Sequence, residues 1–111
     1  MCIAVYSTTA NYAELQSYLK RFHIIHFENT EQLIPALFDH VFAAAFVAMG
    51  NAAGMEAVIA LRNADRRLPV AWFSNDRDFA AQAYRLNINY FAVTPLSDEK
   101  ISQALRKCGL Q

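Results

Sequence analysis

The residues of this chain that are able to do chemistry fall into small, separated groups. Ser7, Thr8 and Thr9 form a run of hydroxyls directly after the apolar opening MCIAVY. At the start of a helix such a run binds an anion through hydroxyls and free backbone N–H groups, or it caps the helix. Asp76 and Asp78 place two carboxylates close together, which serves either a nucleophile or the acidic cap of a helix N-terminus. His23 and His26 make an H-x-x-H pair, but on a strand an odd separation sends the rings to opposite faces, so they do not chelate one metal ion. His40 stands alone. Cys2 and Cys108 lie near opposite ends of the chain and neither has a C-x-x-C partner. They read as reduced small hydrophobes, which fits a cytoplasmic location. A thiol nucleophile would also need a nearby base and a depressed pKa.

The elements that must position these groups show as an alternation. Runs of β-type composition, CIAVYS (2–7), HIIHFE (23–28), FAAAFVAM (42–49), PVAWFS (69–74) and NYFAVT (89–94), are separated by segments of helical spacing near 10–21, 31–40, 53–65, 77–86 and 97–108. This is the pattern of a parallel sheet covered by helices. The third run is unbroken apolar, as a central strand buried on both faces requires. In the last helix Ile101, Ala104, Leu105 and Cys108 form one apolar stripe, and Ser97 with Asp98 and Glu99 makes its N-terminus. Pro35 would remove a hydrogen bond inside the second helix, so that helix is expected to start late or to kink.

Five βα units predict an α/β, doubly wound (βα)5 flavodoxin-like fold: a five-stranded parallel sheet of order 2-1-3-4-5 with helices on both faces. Its site lies beyond the carboxyl ends of strands one and three. That rule points at Ser7–Thr9, at Met49, Gly50 and Asn51, at Ser74, Asn75 and Asp76, and at Thr94 and Pro95.

Size and charge bound the function. A chain of 111 residues with no internal repeat or linker is expected to be one domain over 1–111. Ten Lys plus Arg balance ten Asp plus Glu, so no net field draws the domain to nucleic acid or anionic lipid. The opening MCIAVYS lacks the basic flank and longer apolar core of a signal peptide, and no stretch reaches the length of a membrane span. A soluble, intracellular protein is expected.

With these elements in place the chain resembles a bacterial response-regulator receiver domain over residues 1 to 108, of the flavour that precedes LytTR DNA-binding domains. MCIAVYST is similar to the family's M-x-I-A-I-C-D-D, and GMEAVIALR (54–62) to D-G-M-E-A-x-x-x-L-R. SNDRDFAAQAYRLNINYFAVTPLSDEKISQAL (74–105) is similar to T-x-x-x-x-Y-A-x-x-A-[FY]-x-x-x-A-x-x-Y-L-L-K-P-x-x-x-x-x-L. The resemblance implies where the chemistry should sit, and there the chain departs from the family. Ser7 and Thr8 stand for the acidic pair that holds Mg²⁺, and Thr94 for the lysine before Pro95. The phosphoacceptor position, counted back from Gly54, Met55 and Glu56, falls on Phe46. Ser74 keeps the place of the Ser/Thr switch, and Phe91 that of the aromatic switch.

Neutral hydroxyls do not offset the dehydration of Mg²⁺, and a Phe ring supplies no acceptor oxygen for phosphoryl transfer. The expectation is a degenerate receiver, not an enzyme, with no metal and no cofactor. Phe46 with Ala48 and Met49 plugs the vacated space, or leaves a small apolar pocket at the switch point. The resemblance implies that helix four, strand five and helix five form the surface for a protein partner or a homodimer. Of the neighbours Tyr90 and Phe91, one is expected to face the interior and the other that surface. Two alternatives stand beside this reading: phosphorylation on a displaced acid such as Asp76, and small-ligand sensing at the switch-point crevice. An N-terminal regulatory role in a longer transcription regulator is the context the LytTR flavour implies.

Overall fold

Along the strands the side chains alternate between two apolar layers, and this alternation builds the molecule. A computed structural model describes residues 1–111. The strands are β1 (Cys2–Ser7), β2 (His23–Phe27), β3 (Ala44–Ala48), β4 (Val70–Ser74) and β5 (Tyr90–Val93). The helices are α1 (Thr9–Tyr18), α2 (Thr30–Asp39), α3 (Asn51–Ala64), α4 (Ala80–Arg85) and α5 (Asp98–Lys107), with a 3₁₀ turn at Arg77–Phe79. All strand pairs are parallel and the order is β2-β1-β3-β4-β5. The fold is the expected doubly wound, flavodoxin-like one.

On one face Ala4, Tyr6, Ala45, Val47, Val70 and Trp72 meet the buried residues of α2, α3 and α4. On the other Ile3, Val5, Ala44, Phe46, Ala71 and Phe73 meet Leu15 and Leu19 from the α1 side and Ile101, Ala104 and Leu105 of α5. Both faces of β3 and β4 are therefore covered, and every residue of these two strands is buried. That explains their unbroken apolar sequences.

Helix starts follow local capping. Thr8, Asn29 and Ser97 accept hydrogen bonds from the backbone N–H of Asn11, Gln32 and Lys100, each worth about 1 kcal/mol. The α2 expectation needs correction: the helix starts at Thr30 and runs through Pro35. Asn29 fixes its start, and the exposed Pro35 leaves only a carbonyl one turn earlier without its usual partner. The segment 77–86, expected as one helix, is divided. Asp76 accepts from the Asp78 N–H at 2.9 Å, and the tightened turn leaves α4 only six residues long.

Candidate functional site

The carboxyl ends of β1, β3, β4 and β5 carry the residues that the switch-point rule singles out. Ser7 is the last residue of β1 and pairs with Ala48, the last of β3. Ser74 ends β4 opposite Val93 of β5. A peptide bond in the cis form then joins Thr94 to Pro95.

Phe46 is not at this end. It lies two residues before the end of β3, between Val5 and Ala71, with its ring fully buried and 5.9 Å from that of Phe73. The strand-end place expected for it is held by Ala48. The cause is a short connection: α3 begins at Asn51, only Met49 and Gly50 separating it from β3, so a count backwards from Gly54 overshoots into the strand. Phe46 fills the α1/α5 layer and plugs no crevice.

The hydroxyls after β1 are engaged by their neighbours. Ser7 is buried, and its hydroxyl donates to the Thr8 carbonyl at 3.0 Å. His26 Nε2 lies 2.9 Å from the Ser7 carbonyl oxygen and 3.2 Å from Ser7 Oγ. A carbonyl only accepts, so Nε2 carries the proton and does not serve as a base for the hydroxyl. Ser7 and His26 are thus an anchoring pair and not a nucleophile with its base. Tyr12 of α1 stacks on the His26 ring at 4.0 Å, with planes 5° apart. Asn11 Nδ2 donates to the Ala48 carbonyl at 2.8 Å, tying α1 to the end of β3.

Across the crevice the β3–α3 and β4–α4 connections clasp each other. Asn75 Oδ1 accepts from the Asn51 N–H at 3.0 Å, and Asn75 Nδ2 donates to Asn51 Oδ1 at 3.1 Å. Asn51 holds a left-handed backbone with φ 58°, a conformation asparagine tolerates. A Cβ at Gly50 would lie 3.0 Å from Asn75 Oδ1. Ser74 Oγ accepts from the Asp76 N–H at 3.2 Å, while the exposed Asp76 carboxylate caps the 3₁₀ turn. On the far side Lys100 of α5 donates Nζ to the carbonyls of Val93 at 2.6 Å and Pro95 at 2.8 Å.

Tyr90 and Phe91 take opposite faces of β5, but both are half-buried. Phe91 stands edge-on to Trp72 at 5.1 Å in the α3/α4 layer, and Tyr90 lies against Phe73 at 5.9 Å in the other. Neither is fully enclosed, so each keeps part of its surface accessible at this edge of the sheet. Burial, with the Glu99 carboxylate adding, pushes the Tyr90 phenol above its ordinary pKa. The aromatic that does project here is Tyr84 of α4, 86% exposed. Trp72 is wholly buried, stacks on Phe79 at 5.5 Å, and its Nε1–H has no hydrogen-bond partner.

His26, Lys100 and Tyr84 escaped the sequence reading of the site, whereas Asn51 and Asn75 were among the residues it named. Asn51 and Asn75 fell within the loops flagged by the switch-point rule, and that rule was the available signal. His26 had none, since it sits 19 residues from Ser7 and reaches it only through strand pairing. The two cavities of the fold lie elsewhere, one lined by Arg62, Arg66 and Arg85 among others, the other by Leu37, Val41 and Leu68 among others. No helix is long and apolar enough to cross a membrane.

No family model and no curated protein sequence matches the chain. Solved structures do. The response regulator TrrA from Thermotoga maritima, in complex with Mg²⁺ and BeF, is 15% identical with a TM-score of 0.77, over 96% of this chain and 97% of that one. Chemotaxis protein CheY4 of Vibrio cholerae gives 14% identity and a TM-score of 0.77 over 96% of each chain. A putative pilus assembly-related protein from Burkholderia pseudomallei gives 18% and 0.75, over 99% of this chain and 90% of that one. Identity this low speaks to the fold alone: the chain has the five-stranded fold of response-regulator receivers.

Proposed function

We propose that the chain is a receiver-like signalling module that works by protein contact and not by aspartyl phosphotransfer. In this reading residues 1–111 form one regulatory domain, without enzymatic activity, that binds neither nucleic acid nor membrane directly. The observation that carries it is the state of the sheet's carboxyl end. Ser7, Thr8, Ala48 and Thr94 stand there in place of carboxylates and lysine, and the polar groups of Ser7, Thr8 and the neighbouring Ser74 are already bonded within the chain. A hard divalent cation has no anionic oxygen to bind among them, and no carboxylate is placed to take a phosphoryl group. The contact surface is α4, β5 and α5, where Tyr84 projects; a protruding tyrosine suits an interface anchor for a partner protein or a second copy. The LytTR-like motifs assign such a module to the regulatory part of a transcription regulator.

Incubation with Mg²⁺ and acetyl phosphate, followed by intact-mass measurement, tests the reading. The expected result is unmodified protein; a stoichiometric acyl-phosphate adduct overturns it. Asp76→Asn, run in parallel, tells whether any adduct sits on the displaced acid, whose carboxylate is at present the cap of the 3₁₀ turn.

A further inference from the structure

The amino ends of the strands carry a second feature that the proposed function does not use. Between the carboxyl-terminal ends of α3 and α4 lies a cavity of about 270 Å³ lined by Arg62, Asn63, Arg66, Arg85, Leu86 and Asn87. Three of these six residues are arginines and none is acidic. Two helix C-termini converge here, and their free carbonyls would ordinarily repel an anion.

Arg62 removes that obstacle. Its Nε donates to the Leu86 carbonyl at 2.9 Å, Nη1 to those of Asp65 at 3.2 Å and Leu68 at 2.6 Å, and Nη2 to the Asn87 carbonyl at 3.1 Å and to Asn89 Oδ1 at 3.2 Å. All five guanidinium donors are therefore taken by neutral acceptors. The helix-end carbonyls are occupied, and the positive charge that occupies them has no carboxylate bonded to it. Burial lowers the pKa of Arg62, the direction expected of a cation short of counter-charge, and the Asp65 charge opposes this shift. The Asp65 carboxylate itself accepts from the Arg67 N–H at 2.9 Å, and Asp65 lines the other cavity. Arg66 and Arg85 are exposed at the rim.

We propose that this cleft binds a small phosphate-bearing anion, held by the guanidiniums of Arg66 and Arg85 over the charged floor of Arg62. Planar guanidiniums match phosphate oxygens two at a time, and the side-chain amides of Asn63 and Asn87 offer further neutral donors. The volume lies just below the range of about 300–1,000 Å³ for small-molecule sites, room for a diphosphate or phosphate monoester and not for a peptide segment.

The test is an amide-resolved NMR titration of the whole chain at low salt with pyrophosphate, inorganic phosphate and AMP in separate arms. At least one is expected to give saturable shifts centred on Asn63, Arg66, Arg85 and Asn87, with a Kd of about 1 mM or tighter that weakens as sodium chloride is added. The double variant Arg66→Ala/Arg85→Ala is expected to lose about tenfold or more in affinity, with an unchanged melting temperature in the absence of ligand because both side chains are exposed. Absence of saturation up to about 20 mM in all three arms, shifts centred elsewhere, or undiminished affinity in the double variant would overturn the proposal.

Discussion

Phe46 and Cys108 show how far a single residue can be read. Both were recognised as apolar, and both are buried. The place of Phe46 along its strand, however, depends on a connection whose length no residue announces. Because its ring is fully enclosed between α1, α5 and Phe73, Phe46→Ala should lower unfolding free energy by about 3–5 kcal/mol, measured by urea denaturation. A loss under about 1 kcal/mol would mean that the layer collapses around the gap. Cys108 belongs to the same layer. Burial, partly opposed by the positive charge of Arg62, pushes its thiol up to about 11, against about 8.5 in an unfolded chain. A raised folded pKa stabilises fully below the unfolded value and ceases to as pH rises through the folded one. The Cys108 contribution is therefore complete below about pH 8.5 and disappears towards about pH 11. Comparing the alkaline stability of wild type with Cys108→Ala isolates it, the variant losing less across that window. In native protein at pH 8 a thiol reagent should label Cys2, which is half-exposed, well before Cys108.

At the level of elements, α3 illustrates a glycine fixed by packing. A Cβ on Gly54 would collide with the Met49 carbonyl oxygen and stand 3.1 Å from Trp72 Nε1. The helix comes this close to β4 because the two-residue connection after β3 leaves it no slack. Gly54→Ala should therefore destabilise the protein by about 1–3 kcal/mol, although alanine favours a helix by roughly 1 kcal/mol in the open. Thermal unfolding checks it, and a stabilised variant would show that α3 shifts away at no cost. In the receiver motif that GMEAVIALR resembles, this glycine was visible in the sequence; its contact with Trp72 was not. The same holds for α2, where capping by Asn29 outweighed the Pro35 signal, and for α4, where the Asp76 cap divided a segment that periodicity joined.

At the scale of the whole molecule, the proposed contact surface is the side formed by α4, β5 and α5. Tyr90 and Phe91 are half-buried against Phe73 and Trp72, and Tyr84 is the aromatic that projects furthest from α4, which makes it the anchor of the proposed contact. If the domain pairs with itself there, light scattering across a concentration series should show association in wild type, and Tyr84→Asp should weaken it at least tenfold, about 1.4 kcal/mol, without altering stability. A partner of another kind would leave the wild type monomeric in that series and show the same tyrosine dependence in a binding assay. The sequence by itself determined the number and order of βα units, the two apolar layers and the loops where a site belongs, because periodicity and capping are local properties written in neighbouring residues. Only the tertiary structure decided that Ala48 and not Phe46 ends β3, that His26 and Tyr12 close over Ser7, that Asn51 clasps Asn75, and that Arg62 gathers the ends of α3 and α4. Each of these joins residues brought together by strand register and loop length, and those are fixed by how whole layers pack and not by any short stretch of chain.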